Sequence, residues 1–587
     1  MTAAASTPAF RALALAAYLV AAAVATDPLA RRLGVAVAGQ PGDTGFFLWC
    51  MDTFWRELAA GGSPFHTDRI LVPLGASLAG SNCVPSLALL ALPFLSALPL
   101  YVGLLTLASL ALAGLGMLRL VETLTGDRAA AAVAGLMYAV HPSLLALVEY
   151  SHFPAVTAAA LVPFGLRAVL LFARTAAWRP LVVASALAWA MVLTHVYPTA
   201  VFLIQAAVVG AVVLARRGHV RHLRRAAAAA AANVALAGIW VAAAFPAGGM
   251  AGFPHGGTAF TSSAAVDLAD TLVPSGANPL LGGLHAAWAS DANGDVASYF
   301  LGWGVLALAL LGGAAAGPRA RARLALAVAG GVTLALATGT AIRVADVELA
   351  SGRATPFFWL ATLPFFELLD SPRRLIVGTA IAVIALAGAG IATLAARTGR
   401  RGMVVAAALA LAAVELGQVG ASTWVLPPLP RVYERVAAAP HARTVLELGG
   451  GVAASNMAYG LDWSVGSATY AWWQMRHGKP RVGGYLSRVP APVFAWFQGR
   501  PVMGDLLDLV DPRRGTWAGR AYGPREIGDF LATFDLGWIV VPPSRRHDEY
   551  VAVVEELLGP LVKRHDADGW TLYRIRRRPG EGGVPGC

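Results

Sequence analysis

Lysine is almost missing. Lys479 and Lys563 are the two lysines among 45 basic residues, so arginine carries the net charge of +12. Charge of either sign is also scarce, at 13% of 587 residues, against about 25% in an ordinary soluble domain. Cysteine is scarcer still. Cys50, Cys83 and Cys587 make no metal or redox spacing. What fills the chain instead is apolar sequence, 57% of all residues, with a mean hydropathy of +0.62. No soluble core hides that much apolar surface, so lipid is the solvent for much of the chain. A basic chain suggests nucleic acid as a partner, but here the arginines stand in short runs between apolar stretches. That is the positive-inside pattern of a membrane protein, and it argues against nucleic acid.

A membrane-crossing helix needs about 20 mostly apolar residues. Stretches near 11–27, 101–122, 129–147, 154–173, 180–194, 198–215, 226–245, 298–316, 323–342, 374–396 and 403–419 qualify, which predicts about eleven spans. Ala12–Ala25 resembles a signal peptide, but the many spans that follow favour an uncleaved first span. Val84–Leu98 is short and carries Pro85 and Pro93, so it is read as re-entrant or interfacial. With that choice Arg11, Arg119/Arg128, Arg174/Arg179, the Arg216–Arg225 cluster, Arg319/Arg321/Arg323 and Arg397/Arg400/Arg401 share one side, the cytoplasm with the N-terminus. Loops 28–100, 246–297 and 343–373 and everything after 420 then lie outside.

The fold class expected is an α-helical integral membrane protein, residues 1–420, followed by a small extracytoplasmic α/β domain, residues 421–587. Within the first loop, Gly45–Ala60 carries apolar residues at helical spacing and reads as a helix lying in the interface plane. Thr355–Leu369, with Phe357, Phe358, Trp359, Phe365 and Phe366, reads similarly. After Pro427, Pro428 and Pro430 the pattern predicts strands at Thr444–Leu448, Leu536–Val541 and Trp570–Ile575, and a helix at Asp548–Lys563. Val445–Gly451 imitates a methyltransferase glycine loop, but Ala453 stands where a glycine is expected and no doubly wound pattern follows, so it reads as the end of a first strand. Cys50 and Cys83 both fall in the first loop, where a disulfide is chemically allowed.

Several ionisable residues gather at the outer ends of the spans, where they are costly unless used or paired. Asp43 lies in Gly42-Asp43-Thr44-Gly45, just before the first-loop helix. It suits a general base or a metal ligand, and equally a helix N-cap. Glu149 and His152 are three apart in a short outer turn, with spacing that fits one helical face, an acid–base or metal site, or a solvated loop. His195 and Tyr197 end a span, where packing hydrogen bonds are the plain alternative. Arg373 and Arg374 follow Asp370-Ser371-Pro372 on the side where arginine is disfavoured, which suits a phosphate, an Asp370 ion pair or lipid headgroups.

This arrangement resembles the GT-C superfamily of membrane glycosyltransferases, which includes protein O-mannosyltransferases and aminoarabinose transferases. The resemblance rests on one span followed by a long outer loop with Asp43 and a helix, on the second loop with Glu149 and His152, and on the long loop 246–297. It also rests on a closing soluble domain and on the phrases Ser63–Asp68, Val72–Gly75 and Ser371–Arg374. It implies a sugar donor on a polyprenyl phosphate and an inverting displacement on the outer face. The acceptor is a glycan, lipid or protein. Asp43, Glu149 and His152 would be catalytic, and Arg373, Arg374, His195 and Tyr197 would bind the donor phosphate. A divalent metal on Asp43 and Glu149 is an open option, because no second acid follows Asp43 until Asp52. The competing classes are a transporter or flippase of a lipid-linked precursor and a non-catalytic membrane protein of the same architecture. The near-absence of acids within the spans disfavours passage.

Overall fold

The computed structural model describes residues 7–81, 83–214, 220–244, 264–290, 299–363, 366–454, 457–461, 465–511, 517 and 519–576. Arg216, Arg217, Phe365, Cys587 and much of the 246–297 loop lie outside these residues. The chain divides into two compact units.

The first unit comprises residues 1–40, 84–240 and 255–425 and is helical. All eleven stretches expected to span the membrane fall on helices. Eight of the helical segments described are long and apolar enough to cross, and two shorter ones, Trp178–Val192 and Trp303–Ala314, are apolar too. Arg401–Leu416 is a further helix of 16 residues. The third span is broken by Pro142 into Arg128–Ala139 and Pro142–Glu149, because proline has no N–H for the helical ladder. Val84–Leu98 gives only a six-residue helix, Pro85–Leu90, and a 3-10 segment, Leu92–Ala97. Neither is long enough to cross.

The core of this unit is built round Ile376–Thr398, almost fully buried between Trp303–Ala314, Ala320–Ala337, Arg128–Ala139 and Leu98–Thr125. Glycine makes the closest approach possible. A Cβ on Gly390 would meet Leu308 O at 2.0 Å, and one on Gly312 would meet Leu386 O at 2.0 Å. In lipid such small-residue contacts substitute for a hydrophobic driving force between helices. A two-stranded ribbon, Ala36–Ala38 with Thr423–Val425, ties the first-loop entry to the end of the last helix.

The second unit comprises residues 41–83, 241–254 and 426–587. A four-stranded sheet has the order Val562–Ala567, Trp570–Ile575, Leu536–Val541, Thr444–Glu447, with the last pair parallel. A three-stranded sheet has the order Gly484–Tyr485, Gly450–Ala454, Met457–Leu461. The glycine-rich turn at Gly449 therefore connects two strands of different sheets. The helix His547–Leu558 starts one residue before the predicted 548–563 segment and ends early, the remainder being a 3-10 turn and the start of a strand.

Two expectations need correction. The first-loop helix, Asp43–Ala59, buries Thr44 through Met51 without interruption. A helix lying in a lipid interface would bury one face only; this one is packed by protein, with Gly45 against Ala468 of the helix Ser467–His477. Thr355–Leu369 is not one helix either. It gives Pro356–Leu360, which ends in a turn at Ala361, and a separate 3-10 turn, Phe366–Leu368.

Candidate functional site

In the first unit the structure brings five of the expected residues together. His152 caps the helix Phe153–Thr175, reached through Ser151 in left-handed conformation (φ 64°). Arg373 and Arg374 sit in a 3-10 turn, Pro372–Leu375, that leads into the central helix. Tyr197 lies in the first turn of Val196–Leu214. Arg374 Nη2 stands 2.6 Å from His152 Nε2, and its guanidinium lies 4.9 Å from the Tyr197 ring centre. The Arg373 guanidinium lies 5.3 Å from the ring centre of Tyr150. The rings of His152 and His195 are 5.9 Å apart, and His195 Nδ1 accepts from the Tyr197 N–H at 3.4 Å. Tyr197 donates to Asp370 Oδ1 at 2.5 Å and accepts the Ser371 N–H at 2.6 Å.

A guanidinium can only donate, so His152 Nε2 accepts and the ring is neutral. Burial, then Arg374, His195 and Arg373, hold the His152 pKa well below the ordinary histidine value. The nearby Tyr299 hydroxyl hydrogen-bonds Arg373. Among the described residues the cluster thus presents two half-buried guanidiniums, the neutral His152 imidazole, the His195 ring and several phenols beside the Asp370 carboxylate, which Tyr197 holds. Such a set favours an anion with several acceptor oxygens.

Glu149 has other partners. The helix Pro142–Glu149 ends on it, so it does not share a helical face with His152. Its Oε2 accepts the Ser422 N–H at 2.9 Å and its Oε1 the Gln40 amide at 3.4 Å. It lines a cleft of about 180 Å³ with Gln40, Ser275, Gln418 and Ser422.

Asp43 belongs to the second unit. Gly42, not Asp43, occupies the N-cap position, and Asp43 is the first helical residue. Its Oδ1 accepts the Tyr485 hydroxyl at 2.8 Å. The next acid, Asp52, pairs with Arg56 at 2.6 Å within the same helix. Cys50 and Cys83 are buried thiols, and burial with the hydrogen bond between them raises the Cys50 pKa.

Among the described residues no three His, Cys, Asp or Glu side chains converge as metal ligands. Glu149 is held by N–H donors and Asp43 by a hydroxyl, which is the environment of a carboxylate fixed by hydrogen bonds. The sequence reading missed Tyr150 and Tyr299 because aromatic residues at span ends are the ordinary belt of a membrane protein. It missed Tyr485 because nothing local marks it.

The whole chain can be laid on solved glycosyltransferases. The arabinofuranosyltransferase AftD from mycobacteria matches at 14% identity and a TM-score of 0.59, over 98% of this chain and 42% of that one. The apo oligosaccharyltransferase of Archaeoglobus fulgidus matches at 12% identity and a TM-score of 0.47, over 94% of this chain and 72% of that one. The same enzyme, with an inhibitory peptide and a dolichol-phosphate, matches at 11% identity and a TM-score of 0.41, over 97% and 74%. The chain spans less than half the length of AftD. The fold is that of the GT-C membrane glycosyltransferases. Residues 13–417 match the family described as a domain of unknown function, DUF6311, and the chain belongs to that family. No curated protein matches it.

Proposed function

We propose that the protein transfers a glycosyl group from a polyprenyl-phosphate carrier to an acceptor hydroxyl on the outer face of the membrane, with inversion. The observation that carries this reading is the pair Arg373 and Arg374, half-buried at the start of a span and braced by Tyr150, His152 and Tyr197. Arginine at that depth is expensive without an anionic partner. A lipid phosphate supplies one, and the fold shared with an arabinofuranosyltransferase makes a sugar the natural group to transfer.

In this reading the acceptor oxygen attacks the anomeric carbon as the bond from that carbon to the phosphate oxygen breaks. The electron pair leaves with the polyprenyl phosphate. Arg373 and Arg374 stabilise its growing charge, and His195 and Tyr197 keep Arg374 and Asp370 in place. The family resemblance implies catalytic roles for Asp43, Glu149 and His152, with Asp43 as the base for the acceptor proton. A phosphate contact of this kind typically contributes several kcal/mol of transition-state stabilisation, about 10²–10³-fold in rate.

The test is a panel of polyprenyl-phosphate pentoses and hexoses, arabinofuranose included, offered to the purified protein in proteoliposomes. Release of polyprenyl phosphate from at least one member is expected. Intact donor in every case, or donor moved across the bilayer without cleavage, would overturn the reading.

A further inference from the structure

The first-loop carboxylate and the C-terminal domain are parts of one compact unit. Three features hold Asp43 against residues more than four hundred positions later. The Asp43–Ala59 helix is pinned at Gly45, where a Cβ would lie 2.5 Å from Ala468 O. The two-residue strand Gly484–Tyr485 runs parallel to Gly450–Ala454, with Tyr485 opposite Ala453. Its approach is so close that a Cβ on Gly483 would lie 2.2 Å from Gly451 O, and one on Gly484 would lie 2.9 Å from Ile70 Cβ. Tyr485 projects from this strand, packs edge-on against Phe46 at 5.4 Å and 89°, and donates its hydroxyl to Asp43 Oδ1 at 2.8 Å.

We infer that Tyr485 is a positioning residue for Asp43, so that the C-terminal domain sets the geometry of the proton-accepting carboxylate. The inference rests on the reading of Asp43 as base. A tyrosine has only two side-chain torsions, and the Phe46 contact restricts the ring further, so its O–H is a rigid donor. Bound through Oδ1, the carboxylate has its plane fixed by the tyrosine hydroxyl. Hydrogen bonds to charged groups are worth about 10- to 100-fold in an equilibrium.

The experiment compares wild type, Tyr485→Phe, Asp43→Asn and the double variant as full-length proteins. Kinetics use the panel donor that wild type cleaves fastest. Phenylalanine keeps the ring and its packing on Phe46 and removes only the hydroxyl. The expected result for Tyr485→Phe is kcat lower by about 10- to 100-fold, with donor KM and Tm unchanged. The double variant should be no slower than Asp43→Asn alone. A second measurement needs no donor: carbodiimide coupling of glycine ethyl ester to Asp43, read by mass spectrometry. Coupling requires the protonated carboxyl, so losing the Tyr485 hydroxyl should speed it by about tenfold or more. Wild-type kcat and an unchanged coupling rate in Tyr485→Phe would overturn the inference even if Asp43→Asn is inactive. So would a Tm and KM that change in step with kcat, which would mark a structural role. An active Asp43→Asn would instead overturn the base assignment.

Discussion

Arg374, in the turn that leads into Ile376–Thr398, hydrogen-bonds His152 at 2.6 Å, although 222 positions separate them in the chain. The contact fixes both partners. The imidazole accepts, so it is neutral, and the guanidinium loses one N–H to it while lying over Tyr197. Arg374 thus has its direction set before any ligand arrives.

Acid should loosen this arrangement. The folded-state pKa of His152 is depressed by burial first and by its cationic neighbours second. The unfolded chain therefore binds a proton near the ordinary histidine value of about 6.5 while the folded protein does not. Stability is full above that value and falls as pH drops below it, by about 1.4 kcal/mol for each pH unit. Thermal unfolding at pH 7.5 and pH 5.5 should show a larger loss in wild type than in His152→Asn. Equal losses would contradict the neutral assignment.

Arg374→Lys keeps a charge but loses the planar fork and the stacking on Tyr197. Donor KM should rise by about tenfold or more, with Tm nearly unchanged. Arg374→Ala should also lower kcat, because charge stabilisation of the leaving phosphate goes with it. Steady-state kinetics at two donor concentrations on either side of KM separate the two effects.

In the second unit Arg481 Nε donates to Glu447 Oε2 at 2.6 Å, and Tyr433 donates to Glu447 Oε1 at 3.1 Å, all deeply buried. Burial pushes the Glu447 pKa up and Arg481 pulls it down, with burial the stronger. Arg481→Met should destabilise the protein by about 3–5 kcal/mol, since it strands a buried carboxylate. Adding Glu447→Gln should recover much of that loss, as measured by the unfolding midpoint.

The arginine distribution gives a topology that reporter fusions can check. Fusions after Arg225 and after Arg323 should read cytoplasmic. Fusions at Gly276 and after Pro430 should read external. A cytoplasmic reading after Pro430 would place Asp43 and the C-terminal domain away from an outer-leaflet donor.

The apolar helices were legible because lipid imposes one rule on every crossing segment, and Arg373 and Arg374 drew notice because the arginine runs in the sequence assign them to the side where arginine is disfavoured. What was not legible depends on packing between distant segments. The burial of Phe46 through Met51 on all sides is decided by the Ser467–His477 helix, which no periodicity in the first loop announces. Gly42 rather than Asp43 takes the cap position because backbone conformation, not residue preference, places the helix start. Glu149 and His152 look like a pair by spacing, but the helix ends between them and sends one to Gln40 and Ser422 and the other to Arg374.

Asp43→Asn is the most direct measurement of the central claim, sugar transfer from a polyprenyl phosphate with Asp43 as base. Asparagine keeps the size of the side chain and can still meet Tyr485, but it cannot take a proton. The account predicts that wild type releases polyprenyl phosphate and forms a product of inverted anomeric configuration. Asp43→Asn should do so at least 10²-fold more slowly, with unchanged donor binding and Tm. Turnover within a few-fold of wild type in Asp43→Asn would contradict it.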